Sequence, residues 1–210
     1  YLVKEFEMRK NADQLKRATT AKTGELNMSK IYSYNFNEDI FKKITVMPGG
    51  KSHGLVLFLD WSGSMSEHLQ NTVKQLIALV MFCKKVNIPY EVYAFRQADV
   101  NDDEKGYAKQ FKDNDIAAYG FSLVNLLSSR MSAGDFSYAA SALVSLAKSC
   151  RYTPHWLSLG GTPLNEAIIS AMEIVPEFQK KYKLQIVNTV FLTDGEGHKL
   201  NSYISADESG

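Results

Sequence analysis

The sequence predicts an α/β fold: a three-layer, doubly wound, mostly parallel sheet with helices on both faces. Three observations carry that expectation. Gly54-Leu-Val-Leu-Phe-Leu59 is an uninterrupted apolar run ended by Asp60, and a short run without alternation fits a strand buried on both faces. Within Ser66–Asn87, the residues Leu69, Val73, Leu76, Ile77, Val80, Met81 and Cys83 recur at three- and four-residue steps, which marks a largely buried amphipathic helix. Pro89 stops that helix, and Tyr90–Phe95 reads as a second strand. Strand, helix and strand make a βαβ unit, with parallel strands and a right-handed crossover.

The other elements follow in chain order. Residues 1–30 are charged and polar, with sparse apolar positions at Leu2, Val3, Phe6, Met8 and Leu15. Val3–Ala18 is expected as a polar helix, with an extended arm as the rival. Tyr32, Tyr34 and Phe36 nearly alternate, so a short strand or arm is expected there. A strand near Lys43–Met47 follows, closed by the turn signal Pro48-Gly49-Gly50. Gln97–Asp115 is polar and reads as a surface loop, and Phe121–Leu127 as a short edge strand. Asp135–Cys150 reads as a helix with a small-residue face of Phe136, Ala139, Ala140, Leu143, Val144, Leu146 and Ala147. Arg151–Gly161 is a loop. Pro163–Tyr182 is a helix with Leu164, Ala167, Ile168, Ala171, Met172 and Val175 on one side, where Pro176 is expected to kink or split it. Leu184–Leu192 is the last apolar strand, ended by Thr193-Asp194-Gly195.

Composition narrows the function. The chain has 210 residues, enough for a sizeable core, and 45% of them are apolar. Lys plus Arg is 24 and Asp plus Glu is 23, for a net charge of +1. That balance argues against a nucleic-acid partner and, at whole-chain level, against a membrane surface. No apolar run reaches the ~20 residues of a membrane-spanning helix. Cys83 and Cys150 are too few for a disulfide framework and read as buried thiols in a reducing compartment, consistent with a cytoplasmic protein. The chain starts at Tyr1 without methionine or a leader pattern, so it reads as a fragment of a longer protein.

Two strands end in aspartate, and ligands of such sheets bind at the carboxyl ends of the strands. The first runs into Asp60-Trp61-Ser62-Gly63-Ser64. If that turn stays extended, Asp60, Ser62 and Ser64 point the same way. The second motif is Gly160-Gly161-Thr162-Pro163, with Pro163 expected at the first helical position. The third is Thr193-Asp194-Gly195. Asp60, Ser62, Ser64, Thr162 and Asp194 together form an all-oxygen set, which suits Mg²⁺, with Mn²⁺ or Ca²⁺ as alternatives. A plainer reading stands beside it. Ser64-x-x-Glu67 matches a capping box, and Thr162 before a helix is an ordinary N-cap. Three such motifs in this order, each at a strand–helix junction, favour the cation.

These motifs resemble a known family. Asp60-Trp-Ser-Gly-Ser-Met65, Gly161-Thr162-Pro163-Leu164 and Thr193-Asp194-Gly195 are similar to the metal-ion-dependent adhesion site of von Willebrand factor A (VWA) domains. The resemblance covers roughly Gly54–Gly197. Asn35-Phe-Asn-Glu-Asp-Ile-Phe41 and Gly50-Lys-Ser-His-Gly54 resemble what precedes that site in CobT-like subunits of cobaltochelatase, phage versions included. The resemblance implies a Rossmann-like sheet with Mg²⁺ at its top, held directly or through water by Asp60, Ser62, Ser64 and Asp194. Thr162 is a ligand whose coordination depends on state. It also implies an AAA+ ATPase partner of the MoxR/CobS type, in a chelatase-like complex tied to cobalamin biosynthesis. On this reading 1–50 are an N-terminal extension and 51–198 the VWA-like domain, with an insertion around 97–160. Residues 199–210 are a polar tail. Because the family continues past its third motif, the sheet is expected to be truncated at its C-terminal edge.

A cation held mainly by neutral hydroxyls keeps residual charge and an open position, which a partner's Asp or Glu can fill. Trp61, Met65 and Gly161 are candidates for contact with that partner. No base and no His-paired nucleophile marks a catalytic centre, so a non-catalytic binding subunit is the leading expectation. The alternative is a Mg²⁺-dependent phosphohydrolase with Asp60 as nucleophile, though Ser62 stands where such enzymes place a second carboxylate. His53, His68, His155 and His198 are scattered, and no zinc-hydrolase spacing occurs. The segment from Asp99 to Asp103 lacks the glycine and glutamate of a calcium loop. Neither Gly-Gly pair has Walker spacing, so no ATP site is expected on the chain itself.

Overall fold

The structure is a computed structural model that describes residues 2–16, 19–26, 41–46, 52–97, 116, 118, 120–149, 153–195 and 197–199. The chain divides into two compact units, residues 1–51 and 52–210. In the first, α1 spans Leu2–Lys16. Arg9 pairs with Glu5 one turn away at 3.0 Å on the exposed surface, a contact of only a few tenths of a kcal/mol. β1 (Thr19–Leu26) and β2 (Phe41–Val46) pair antiparallel, with a register shift between Lys22 and Leu26. β1 was not expected. Its sequence Thr-Thr-Ala-Lys-Thr-Gly-Glu-Leu has no apolar alternation to announce a strand.

The second unit holds a four-stranded sheet in the order β5-β4-β3-β6. β3 (His53–Asp60) lies parallel to both β4 (Tyr90–Gln97) and β6 (Ile186–Leu192). β5 (Phe121–Ser128) runs antiparallel along the outer side of β4. With α2 (Leu69–Lys85), α3 (Ala133–Lys148) and α4 (Leu164–Tyr182), the described residues hold four helices and a mostly parallel sheet. The arrangement is α/β and consistent with a Rossmann-like fold. Among the described residues no helix is long and apolar enough to cross a membrane.

Strand alternation splits the core in two. Leu57 and Leu59 of β3 join Val73, Leu76 and Val80 of α2 and Leu143 and Ala147 of α3. Val56 and Phe58 join Ala167, Ala171 and Phe178 of α4. The Phe58 ring stacks between Tyr93 at 5.5 Å and Phe191 at 4.8 Å. A buried side chain of that size contributes about 1.5–3 kcal/mol. β3 is thus covered on both faces, as its unbroken apolar run predicts.

Three boundaries differ from expectation. The stretch after Gly63 opens with a 3₁₀ turn over Ser64–Glu67, and α2 starts only at Leu69. Pro163 stands one residue before α4, not inside it, because Leu164 N–H already bonds back to the Thr162 carbonyl. Pro176 neither ends nor splits α4, which runs on to Tyr182. Cys83 is a free, buried thiol on α2. Cys150, the surface loop at 98–115, the arm at 31–40 and the tail from 200 lie outside the described residues.

Candidate cation site

Strand register brings the motifs together. Leu59 of β3 faces Leu192 of β6, so Asp60 and Thr193 are the next residues on adjacent strands. The Thr193 hydroxyl donates to Asp60 Oδ2 at 2.7 Å. Asp60 is fully buried, and its Oδ1 has no hydrogen-bond partner among the described residues. Burial pushes the Asp60 carboxyl above the usual carboxylate range. The Thr193 and Ser62 hydroxyls pull the other way, and the Asp194 charge adds to the rise.

Beyond Asp60 the chain stays extended for two residues. Trp61 N–H donates to the Phe95 carbonyl at 2.9 Å, and Ser62 forms a one-residue parallel bridge with Gly160. The Ser62 and Ser64 hydroxyls are hydrogen-bonded at 3.0 Å, and Ser64 donates to Asp194 Oδ1 at 3.1 Å. At the same two strand ends, hydrogen bonds therefore link Ser62, Ser64 and Asp194 in one chain and Thr193 with Asp60 in another.

Thr162 arrives on a loop clasped across the ends of β3 and β4. Gly63 N–H bonds to the Gly160 carbonyl at 2.9 Å, Gly160 N–H to the Trp61 carbonyl at 3.2 Å, and Gln97 N–H to the Gly161 carbonyl at 3.2 Å. A Cβ on Gly160 would sit 1.9 Å from the Gln97 carbonyl oxygen, so only glycine lets the loop approach this closely. Thr162 is buried. His198 closes over the loop. Its N–H donates to the Thr162 carbonyl at 3.0 Å, its Nδ1 lies 3.2 Å from Gln97 Oε1, and Asn165 Nδ2 donates to its carbonyl at 2.8 Å.

The capping alternative fails on this geometry. No side chain caps the turn at Ser64, and none caps α4. Where the fold does use serine as a cap, it is plain: Ser132 Oγ accepts from Asp135 N–H at the start of α3 at 3.2 Å. The hydroxyls of Ser62 and Ser64 bond to each other and to Asp194, and none of the Ser62, Ser64 and Thr162 hydroxyls caps a helix.

Of the contact candidates, Trp61 and Met65 are buried in the core. Trp61 Nε1 donates inward to the Leu157 carbonyl at 2.8 Å. In this structure neither side chain offers surface to a partner, because strand parity turns Trp61 under the loop. Gly161 is half-buried beneath the His198 ring. The exposed aromatic near the loop is Trp156, with 61% of its surface accessible, in the 3₁₀ turn His155–Leu157. Thr193 and Gln97 also escaped the sequence reading as site residues. Thr193 had a usable signal, its place one step past an apolar strand beside Asp60. Gln97 had none.

The donor set is two carboxylates and three hydroxyls. Among the described residues, no group of three His, Cys, Asp or Glu side chains is placed to hold a metal. An ion here would depend on hydroxyl and water oxygens, which suits Mg²⁺ better than zinc. No family model, curated protein or solved structure matches the chain.

Proposed function

We propose that this chain is a non-catalytic, divalent-cation-dependent protein-binding module of the VWA type, a three-layer α/β domain with Mg²⁺ at the carboxyl end of its sheet. The observation that carries the reading is the orphaned Oδ1 of Asp60. A buried carboxylate oxygen without a partner is costly. It stands beside hydroxyls that cap no helix, and a hard cation would satisfy all of them at once. Asp60, Ser62, Ser64, Thr162 and Asp194 would hold the ion directly or through water. When bound, it supplies a Lewis-acidic position open to a carboxylate from another protein.

The resemblance to CobT-like subunits extends the proposal to a partner, an AAA+ ATPase of the MoxR/CobS type. Phosphoryl chemistry gains no support here. The position two residues beyond Asp60 is Ser62, hydrogen-bonded to Ser64, not a carboxylic acid.

The test is a pull-down with the tagged chain in Mg²⁺ and in EDTA, with captured proteins identified by mass. Wild type is expected to capture an ATPase in Mg²⁺ alone, and Asp60→Ala to capture none in either buffer while remaining folded. Equal capture by Asp60→Ala, or capture unaffected by EDTA, sinks the reading.

A further inference from the structure

The loop that delivers Thr162 is anchored by a buried charge with no counter-charge among the described residues. Arg96 is the seventh residue of β4 and only 4% exposed. It shares the strand parity of Tyr90, Val92 and Ala94, which lie in the cluster with α2 and α3. Its Nη1 donates to the Ser158 carbonyl and, at 2.7 Å, to the Ser158 hydroxyl. Its Nε is buried without a partner. Neither the Arg9–Glu5 nor the Arg130–Glu91 ion pair involves Arg96.

Burying a guanidinium in this way costs stability, and an apolar residue of similar volume would cost less. What Arg96 offers in return is control of a loop. Ser158 lies between two fixed points. On one side the Leu157 carbonyl takes the Trp61 indole N–H at 2.8 Å. On the other, Gly160 and Gly161 are clasped by Trp61, Gly63 and Gln97. Arg96 sits in the strand between Phe95, whose carbonyl holds Trp61, and Gln97, whose N–H holds Gly161. The Arg96 side chain thus ties Ser158 to the stretch of β4 whose backbone, at Phe95 and Gln97, holds Trp61 and Gly161.

We propose that Arg96 is a positioning residue of the cation site: by holding Ser158 it fixes the path of Leu159–Gly161 and so the place of the Thr162 hydroxyl relative to Asp60. The inference rests on the cation-binding reading above and assigns how that site is assembled.

The experiment measures Mn²⁺ binding to the full chain by calorimetry, with melting curves in EDTA for every variant. Arg96→Lys keeps the charge but not the guanidinium reach that lets Nη1 hold both Ser158 oxygens, and is expected to weaken Mn²⁺ about ten-fold. Ser158→Ala removes the hydroxyl that accepts from Arg96 and donates to the His155 carbonyl at 3.0 Å, and is expected to weaken it about three-fold. The discriminating variant is the double change Ser158→Ala with Thr162→Ala. If Ser158 acts through Thr162, the double variant binds no more weakly than Thr162→Ala alone. A merely structural Arg96 would lower the melting temperature in EDTA and leave Mn²⁺ affinity unchanged in the folded protein, which overturns the proposal. Losses from Ser158→Ala and Thr162→Ala that multiply also overturn it. If Arg96→Lys does not fold, Ser158→Ala and the double variant carry the decision. Wild type that binds no Mn²⁺ overturns the cation reading itself, whereas tight wild-type binding with an unaffected Ser158→Ala overturns only the positioning role.

Discussion

At Asp60 two requirements conflict, and the conflict is measurable. Without a cation, the buried carboxylate is a burden on the fold; in the proposed function it would anchor the ion. Asp60→Asn is therefore expected to melt at or above the wild-type temperature in EDTA. In Mg²⁺ only the wild type should rise, by about 2.7 kcal/mol when the ion is at a hundred times its dissociation constant. Scanning calorimetry in both buffers checks this, and an Asn variant that gains equally from Mg²⁺ removes Asp60 from the site. A second residue makes a prediction about alkali. Burial pushes the Cys83 thiol up to about 11 from 9.0, so the folded state resists forming the thiolate. The stability linked to this thiol is full below about pH 9 and is lost as pH rises through about 11, at up to roughly 1.4 kcal/mol per pH unit. Denaturant midpoints of wild type and Cys83→Ala, compared between pH 8 and 11, should converge as pH rises. Parallel curves would mean the thiol is not sealed.

Among the elements, serines in similar sequence settings do different work. Ser132→Ala removes the cap of α3 and should cost about 1 kcal/mol with Mg²⁺ affinity unchanged. Ser64→Ala, at a turn with no side-chain cap, should barely move the melting point in EDTA while weakening Mg²⁺. Reversed results would restore the capping reading of Ser64. The same contrast explains what was legible. β3, β4 and β6 fell within a residue or two of their expected limits: β3 is an unbroken apolar run ended by Asp60, and β4 and β6 are short, mostly apolar segments, β4 starting right after Pro89 and β6 ending just before Thr193-Asp194-Gly195. α2 and α4 followed from their apolar spacing, except at their starts, where local hydrogen bonds decide. β1 lacks apolar signal and was missed. The five candidate ligands were named from motif spacing, but their surroundings were not. That Thr193 orients Asp60 follows from β3–β6 register, and that Arg96 holds Ser158 follows from a contact across 62 positions. Long-range pairings of this kind leave no periodic trace.

For the whole molecule, the described residues of both core clusters come from Leu55 onward. Residues 52–210 produced without 1–51 should therefore unfold in one cooperative transition and keep the Mg²⁺ response. A broad, non-cooperative melt would show that the first unit is needed for the fold. The molecule also carries its own optical gauge. It has two tryptophans: Trp61 is sealed under the Leu157 carbonyl, while Trp156, one residue from that carbonyl, stands in solvent. A soluble quencher extinguishes the emission of Trp156 and spares Trp61. The blue-shifted light that survives comes from the indole beneath the loop, so its colour and lifetime report, in the unlabelled protein, whether that loop is seated or lifted.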